Sequence, residues 1–333
     1  MTTSSHPWTG QRRRGVATTA LILTALALLV AACGGGGSGS GLEGRIEIDG
    51  SSTVAPLTTL AAEEFQIDNS GVRITVGISG SGGGFERFCN GETDLSNASR
   101  AITKDEAQAC ADNDVKLVEL RVASDAVTVV LNPDNDWVTC LTTEQLAMIW
   151  APESEGSVDS WDDVDPSFPD EPLRLAGPGT DSGTFDYFTD EINGAEGASR
   201  ADYTASEDDN IVVQAVQGEI GGIGYFGFSY FLENPDALVA AEIDGGAGCV
   251  APGIDTVLSG DYTPLSRPLY LYVNTDSLLD PAVQEFMRFY LHYEMGLAEA
   301  ALFIPLTEEQ LAEQTAALEL AIRAASVTGA AAG

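Results

Sequence analysis

Three glycine-rich and hydroxyl-rich stretches carry the chemistry that this sequence offers. Residues 50–59 follow a short alternating apolar pattern and precede apolar residues at helical spacing, which predicts a strand that ends where a helix begins. Ser52 or Thr53 can cap that helix. Pro56 suits the first turn, because a backbone N–H there would have no partner within the helix. Free backbone N–H groups and the positive end of the helix dipole favour an anion at such a terminus.

The same combination occurs twice more, at residues 79–84 and 179–184. Each stretch by itself can be a simple helix cap or a turn. Glycine, however, lets the backbone approach a ligand closely, and all three stretches combine it with hydroxyl side chains and a predicted helix start. Three such termini predict a site for one small oxyanion.

The first 32 residues have the pattern of a lipoprotein signal peptide. Three arginines, residues 12–14, precede an uncharged apolar run at residues 16–32 that ends in Val-Ala-Ala before Cys33. A transmembrane anchor is the alternative, but a run of about 17 residues is at the short limit for spanning a bilayer. We expect cleavage before Cys33, lipid attachment to its thiol, and a flexible tether over residues 33–44. The protein is then exported and lipid-anchored on the outer face of the cytoplasmic membrane.

The composition is strongly acidic, with 15 Lys and Arg against 51 Asp and Glu and a formal charge of −36. Loss of residues 1–32 removes three arginines and no acid, which changes the charge to −39. A net charge this negative repels the phosphate backbone and excludes a nucleic-acid partner. The field also repels phosphate at long range. Screening limits that repulsion to about 8 Å at physiological ionic strength, so the nearest donors decide binding in a closed site.

Besides Cys33, the chain has four cysteines. An even number in an exported chain predicts two disulfides, and the sequence has no Cys-x-x-Cys or histidine-rich spacing for a metal site. Three pairings are open from the sequence. We favour Cys89 with Cys110, which closes a local loop, and Cys140 with Cys249, which joins the two ends of a middle domain.

Strand and helix patterns alternate along the rest of the chain, which predicts an α/β fold with mainly parallel sheets. The length of 333 residues is enough for two domains with separate cores. His6 lies in the predicted signal, His292 lies in a predicted helix, and no Gly-x-Ser-x-Gly motif occurs, which argues against an exported serine hydrolase. The acids also lack the accompanying histidines of a phosphatase metal cluster. We therefore expect no enzyme activity, no metal and no cofactor.

Four motifs together resemble the phosphate-binding lipoprotein family of high-affinity phosphate ABC transporters, which are periplasmic binding proteins. The motifs lie at residues 49–57, 79–100, 177–188 and 221–226, and the similarity covers nearly all of the chain after the signal. The resemblance implies a type II Venus-flytrap fold. Such a fold has two lobes, each a mainly parallel sheet flanked by helices, with two crossing strands as a hinge and the ligand clamped between the lobes. We place lobe one at residues 45–125 plus 265–333 and lobe two at residues 126–264.

The resemblance also implies which residues contact phosphate. In lobe one, Thr53 and Val54 match the family's first contacting pair, through a hydroxyl and a backbone N–H, and Ser81 matches a hydroxyl contact at the second helix terminus. From the other lobe, the family's Ser-Gly-Thr contact corresponds to Ser182, Gly183 and Thr184. The neighbouring residues Ser52, Gly82 and Ser99 complete the predicted site.

Two positions depart from the best-known members of the family. An arginine four residues before the Ser of Ser-Gly-Thr is replaced by Pro178, and the Asp of a Ser-Asp turn is replaced by Arg100. We expect Arg100 to supply the missing bidentate guanidinium, the alternative being a surface ion pair. We expect Asp181 or, as a second choice, Asp94 to accept the proton of hydrogen phosphate and so reject sulfate, the alternatives being a cap and an Asx turn.

The predicted function is that of a non-catalytic, monomeric solute-binding lipoprotein. It captures inorganic phosphate and delivers it to an ABC permease with a cytoplasmic ATPase. Two alternatives stay open from the sequence. One is a binder of another tetrahedral oxyanion, and the other is a surface phosphate sensor or adhesin that keeps the fold without transport.

Overall fold

The computed structural model describes residues 41–180, 182–233 and 235–332. The predicted signal peptide at residues 1–32, the predicted lipidation site Cys33, the rest of the tether to residue 40, and Asp181 lie outside the described residues. The chain from Leu42 to Gly333 forms one unit. Over the residues that the structure describes, no helix is long and apolar enough to cross a membrane.

Strands and helices alternate along the chain, so the predicted α/β class is confirmed. The first part contains β1 (Gly44–Gly50), α1 (Ala55–Asp68), β2 (Val72–Val76), α2 (Gly80–Cys89), β3 (Leu95–Ala98), α3 (Lys104–Asp112) and β4 (Leu117–Leu131). The middle part contains β5 (Cys140–Thr142), α4 (Thr143–Trp150), α5 (Trp161–Val164), β6 (Arg174–Gly177), α6 (Gly183–Asn193), β7 (Thr204–Ala205), α7 (Asp209–Gly218), β8 (Gly222–Gly227), α8 (Phe228–Glu233), β9 (Val239–Ala240), β10 (Glu242–Asp244), β11 (Cys249–Val250) and α9 (Ile254–Ser259). The last part contains β12 (Ser266–Asn274), α10 (Pro281–His292), α11 (Glu294–Ala300) and α12 (Glu308–Ala332), and short 3-10 helices lie at Pro152–Ser154 and Ser277–Leu279.

Two long strands, β4 and β12, connect the two halves of the main sheet. The strand order is β2-β1-β3-β12-β4-β8-β6-β7, and β9 pairs with β4. Strand β1 is parallel to β2 and β3, and β6 is parallel to β7 and β8, whereas β12 and β4 run antiparallel to each other and to their outer neighbours. A separate small sheet has the order β11-β10-β5. The parallel sheets are therefore joined through an antiparallel pair.

The buried side chains fall into two main cores, one on each side of this antiparallel pair. The first core includes Ile46 from β1 and Phe286 from α10, and the second includes Trp150 and Tyr225. Strand β4 contributes to both, because Leu120, Val122 and Ala123 belong to the first core and Ala126, Val127, Val129 and Leu131 belong to the second. The exact lobe boundaries stay a prediction.

Both favoured disulfides are present. Cys89 at the end of α2 bonds to Cys110 in α3, and Cys140 in β5 bonds to Cys249 in β11. The second bridge closes a sequence separation of 109 residues, against 21 for the first.

Glu294 at the start of α11 is a fully buried carboxyl group. One oxygen accepts the backbone N–H of Leu306 at 2.9 Å, and the other has no hydrogen-bond partner among the described residues. Burial raises the pKa of Glu294 to about 7 from its ordinary 4.5, and the Leu306 N–H opposes that rise only in part.

We expect Glu294→Gln to stabilise the protein above pH 7 and to leave its stability unchanged near pH 4. The folded state holds the Glu294 proton more tightly than the unfolded state, so the wild type loses stability as the pH rises from about 4.5 to about 7. The difference amounts to about 3 kcal/mol. Glutamine keeps an acceptor for Leu306 and stays neutral. Urea unfolding of both proteins at pH 4 and pH 8 measures the effect, and an equal free-energy difference at the two pH values would contradict it.

Candidate functional site

A cleft of about 580 Å³ lies between the two cores, where the starts of α1, α2 and α6 meet the crossing strands. From the first core it is lined by Ser51, Ser52, Thr53, Gly80, Ser81, Gly82, Ser99, Arg100 and Ala101. From the second it is lined mainly by α6, and from the crossing region by Thr263, Pro264, Ser266, Arg267, Pro268 and Tyr270. The structure therefore brings the three predicted helix starts into one site.

The start of α1 differs from the sequence prediction. Neither Ser52 nor Thr53 caps the helix, because the N-cap residue is Val54 and it makes no side-chain cap bond. The Val54 N–H instead reaches the Ser51 hydroxyl at 3.4 Å. The Thr53 hydroxyl is thus available in the cleft, where it accepts a hydrogen bond from Arg267 at 3.0 Å.

The start of α2 is held against the ends of β1 and β3. A Cβ atom on Gly84 would lie 2.4 Å from the Gly50 Cα, so only glycine allows this helix to pack so closely on β1. The close packing sets the Ser81 hydroxyl 3.2 Å from the Ser99 hydroxyl, and Ser81 also accepts the Ser99 N–H at 3.1 Å. Gly82 lies beside Arg100, because a Cβ atom on Gly82 would be 3.8 Å from the Arg100 Nη2.

The start of α6 faces Thr53 across the cleft. Ser182 is the N-cap and accepts the Thr184 N–H at 3.2 Å, so its hydroxyl is engaged as a cap. A Cβ on Gly183 would lie 3.3 Å from the Thr53 hydroxyl oxygen, which shows how near the two helix starts are. Gly183 and Thr53 both line the cleft. In the described part of the chain, Val54, Ser182 and Thr184 adjoin lining residues without lining the cleft themselves.

Arg100 lines the cleft, but its guanidinium is bound by Glu106. Its Nη1 and Nη2 donate to the two Glu106 oxygens at 2.9 and 2.8 Å, and the guanidinium lies 5.5 Å from the Phe85 ring centroid. The hydrogen bond to Glu106 raises the pKa of Arg100. The ion pair that the sequence left as an alternative is therefore formed, and the side chain remains 43% exposed.

Arg267 was not predicted from the sequence, and it is the more enclosed cation of the cleft. Its side chain is only 12% exposed. Nε and Nη2 donate to one oxygen of Asp125 at 3.1 and 3.0 Å, and Nη2 also donates to Thr53. The guanidinium lies 3.8 Å from the ring centroid of Tyr187, whose hydroxyl donates to the Pro264 carbonyl. Among the described residues, Nη1 has no hydrogen-bond partner, so it can donate to a ligand.

Arg267 and Asp125 face each other directly across β12 and β4. Each borders an apolar run, since Asp125 precedes residues 126–131 and Arg267 precedes residues 268–273. Opposite charges directly before two apolar runs were the signal available in the sequence. Because the pair lies between the two cores while Arg267 contacts Thr53 on one side and Tyr187 on the other, this arginine bridges both walls of the cleft.

The second predicted carboxylate candidate, Asp94, does not reach the cleft. It precedes β3, at the opposite end of the strand from Ser99. One of its oxygens accepts the Glu47 N–H at 2.8 Å and the other accepts the Ser277 hydroxyl at 2.7 Å. Asp94 is thus a structural acceptor, and the first candidate, Asp181, lies outside the described residues.

Four carboxylates also line the cleft on the side of the second core, and none of them was predicted from the sequence. They are Asp186, Asp190, Glu191 and Glu196. Burial raises the pKa of Asp186, with a further rise from Glu196 and an opposing effect of Arg267. Burial likewise raises the pKa of Glu191, with Asp190 adding to the rise and Arg267 again opposing it. The cleft therefore combines cationic and hydrogen-donating groups at the helix starts with an acidic face along α6.

Comparisons with known proteins place the chain among binding proteins. The PBP superfamily domain matches residues 34–294. Protein SphX of Synechocystis sp. is 47% identical over 297 residues, which cover 89% of this chain and 86% of that protein. The phosphate-binding protein PstS of Staphylococcus saprophyticus is 40% identical over 284 residues, covering 85% of this chain and 86% of that protein.

Solved structures agree with the sequence relatives. A crystal structure described as a possible phosphate binding protein from Planctomyces limnophilus superposes with a TM-score of 0.80 at 43% identity, covering 84% of this chain and 99% of that chain. An ABC-type phosphate transport receptor from Vibrio cholerae has a TM-score of 0.64 at 23% identity and covers 78% of this chain and 99% of its own. At 23% identity, the similarity to the Vibrio cholerae receptor concerns the fold alone. The predicted two-lobed periplasmic binding protein fold is confirmed.

Proposed function

This chain belongs to the PBP superfamily, in the family that includes Protein SphX and the PstS phosphate-binding proteins, and from that premise we propose that it binds inorganic phosphate in the cleft. The observation that carries the proposal is the guanidinium of Arg267. It is largely buried, contacts Thr53 beside the start of α1, and lies in the same cleft as the start of α6.

A buried guanidinium beside helix N-termini is suited to a small oxyanion. Arginine presents fixed N–H donors that match two oxygens of a phosphate, and helix N-termini add unpaired backbone N–H groups and a favourable dipole. Hydroxyl groups of Ser81, Ser99 and Thr53 supply further donors around the same cleft. Together these groups can replace the water that phosphate loses when it enters.

Within this proposal, Arg267 takes the main cationic role that the sequence suggested for Arg100. Asp125 orients Arg267 from the opposite strand, and Tyr187 covers the other face of its guanidinium. Arg100, held by Glu106 at the exposed rim, contributes a weaker attraction. The predicted contacts from Ser52, Val54, Gly82, Ser182, Gly183 and Thr184 remain part of the proposed site.

We extend the proposal to transport. The protein would be exported, lipid-anchored through Cys33, and would release phosphate to an ABC permease without catalysing a reaction. Support comes from the signal and Cys33 pattern in the sequence and from relatives that are named as phosphate-binding proteins. The net charge of −39 after loss of residues 1–32 is compatible with capture, because screening confines the long-range repulsion and the nearest donors act at short range.

Calorimetric titration of residues 41–333 with phosphate tests the proposal, using protein that has been stripped of bound phosphate. We expect one phosphate per chain with micromolar or tighter affinity. Phosphate at 100 times its dissociation constant is also expected to stabilise the fold by about 2.7 kcal/mol. Absence of heat and of thermal stabilisation with millimolar phosphate would refute phosphate binding. A response to a different tetrahedral anion alone would favour the alternative binder.

A further inference from the structure

We infer that Asp49 is a positioning residue for the anion site, and this inference rests on the proposed function. Asp49 holds the Ser79 hydroxyl in a place where it does not cap α2, so backbone N–H groups in the first turn of α2 stay free for the ligand. Asp49 lies one residue before the end of β1 and is 3% exposed. It does not line the cleft, whereas Gly80, Ser81 and Gly82 do. Asp49 therefore acts on the anion through α2.

The Asp49 carboxylate connects the end of β1 with the segment that leads into α2. Its Oδ1 accepts the backbone N–H of Gly50 at 2.7 Å and the Ser79 hydroxyl at 2.9 Å. The backbones of the two segments are also joined, because the Ser79 N–H donates to the Gly50 carbonyl at 3.1 Å. Gly77 covers the carboxylate, since a Cβ atom on Gly77 would lie 2.9 Å from the Asp49 Cγ. These contacts fix the start of α2 against β1.

Ser79 occupies the N-cap position of α2, where the hydroxyl of a serine usually caps the helix, but it makes no side-chain cap bond. Its hydroxyl nevertheless lies over the first turn, because a Cβ atom on Gly83 would be 2.9 Å from the Ser79 Oγ. A capping hydroxyl would accept the N–H of Ser81 or Gly82, the second and third helical residues. The bond to Asp49 holds the Ser79 side chain in a rotamer that makes no cap. Both N–H groups can therefore donate to an anion.

Three other helices begin after a hydroxyl residue that does act as a cap. These residues are Thr103 of α3, Thr142 of α4 and Ser182 of α6. Ser79 departs from that pattern, and its bond to a buried carboxylate on β1 accounts for the departure. The start of α2 thus keeps donors that a local cap would use.

Arg87 balances the negative charge that Asp49 brings close to the anion site. Its Nη1 donates to Asp49 Oδ2, and its Nε donates to Glu92 at 3.2 Å. The Asp49 side chain is 4% exposed, against 46% for Arg87. An unpaired buried carboxylate would repel an anion in the cleft, and low water content would strengthen that repulsion. The ion pair allows Asp49 to position Ser79 without adding a net negative charge.

The test is a double-mutant cycle on Asp49 and Ser79, in which phosphate-stripped protein is titrated with phosphate. We expect Asp49→Ala to raise the dissociation constant about tenfold, because the freed Ser79 hydroxyl caps α2 and competes with the anion. The double variant Asp49→Ala with Ser79→Ala lacks the competing hydroxyl and is expected to bind at least about threefold more tightly than Asp49→Ala. Ser79→Ala alone is expected to lie between wild type and Asp49→Ala. A loss caused by destabilisation alone would not be recovered by a second truncation.

Asp94→Ala is the matched control. Asp94 likewise accepts one backbone N–H and one hydroxyl, from Glu47 and Ser277, but it lies at the end of β3 away from the cleft. We expect this variant to keep the wild-type dissociation constant for phosphate.

Amide hydrogen exchange in phosphate-free buffer supplies a readout that does not depend on the ligand. The N–H groups of Ser81 and Gly82 are expected to exchange faster in the wild type than in Asp49→Ala, because the Ser79 hydroxyl protects one or both of them in the variant.

The outcomes separate the inference from the proposed function. A wild type that binds no phosphate overturns both. If the wild type binds phosphate, the inference alone is overturned by a double variant that binds no more tightly than Asp49→Ala, or by an equal loss in Asp94→Ala. Unchanged exchange of the Ser81 and Gly82 N–H groups in Asp49→Ala also overturns it. Should Asp49→Ala fail to fold, Asp49→Val fills the space with a side chain that favours strands, offers Ser79 no acceptor and is subject to the same criteria.

Discussion

Arg267→Ala is expected to weaken phosphate binding by about 2–5 kcal/mol, which is about 30-fold to 5,000-fold in the dissociation constant. The change removes the enclosed cation of the cleft and the donor to Thr53, and it leaves Asp125 without its charged partner. The lone Asp125 carboxylate then repels the incoming anion as well. Titration calorimetry with phosphate on the wild type and the variant measures the loss.

Three further variants identify the cause of that loss. Arg267→Lys keeps the charge without the planar fork and is expected to lie between wild type and Arg267→Ala. The double variant Arg267→Met with Asp125→Asn removes both charges, so that a folding defect from one unpaired buried charge is avoided. Arg100→Ala is expected to cost less than Arg267→Ala because Glu106 already holds that guanidinium. Near-wild-type affinity in the folded double variant, or a larger loss in Arg100→Ala, would contradict the role of Arg267.

Removing the Cys140–Cys249 disulfide by serine substitution is expected to destabilise the fold by about 5 kcal/mol. The cross-link restricts the unfolded chain, and its effect grows with the length of the closed loop. Removal of Cys89–Cys110 is expected to cost about 3 kcal/mol. The cost is smaller because this bridge closes a separation of 21 residues, against 109 for Cys140–Cys249. The longer bridge also joins β5 to β11 at the two edges of the small three-stranded sheet.

Urea unfolding of the two double-serine variants measures both costs, with the reduced wild type as a third sample. The wild type unfolded under reducing conditions is expected to be less stable than either variant. A cost below about 1 kcal/mol for the longer bridge, or a greater cost for the shorter one, would show that restriction of the unfolded chain is not the main contribution.

Short-range patterns were sufficient where a helix start depends on neighbouring residues. The starts of α2 at Gly80 and α6 at Gly183 follow from glycine and serine residues within a few positions of the start, and Ser182 acts as a cap. The start of α1 shows the limit of such patterns. Thr53 has the right type and place for a cap, but its hydroxyl accepts from Arg267 across the cleft, and a distant contact replaced the local one.

The cationic group of the site could not be obtained from motifs. Arg267 and Asp125 are 142 residues apart, and they meet only because β12 and β4 pair in one particular register. A shift of one residue in that register would place the two side chains on opposite faces of the sheet. The expectation for Arg100 followed from its place in a matched motif, and that motif carried no information about Glu106 as a partner six residues away.

Composition, spacing and local backbone preference were enough to predict the α/β class, the family, the number of disulfides and the approximate positions of three helix starts, whereas the pairing of the four cysteines stayed open. The tertiary structure was needed to show that Arg267 is the enclosed cation of the cleft and that the Thr53 hydroxyl accepts a hydrogen bond from it instead of capping α1. The physical reason is that those features arise from strand register and from the approach of two separate cores. The contacts of Arg267 with Asp125 and Thr53 join residues that are 142 and 214 positions apart, and no local pattern records them.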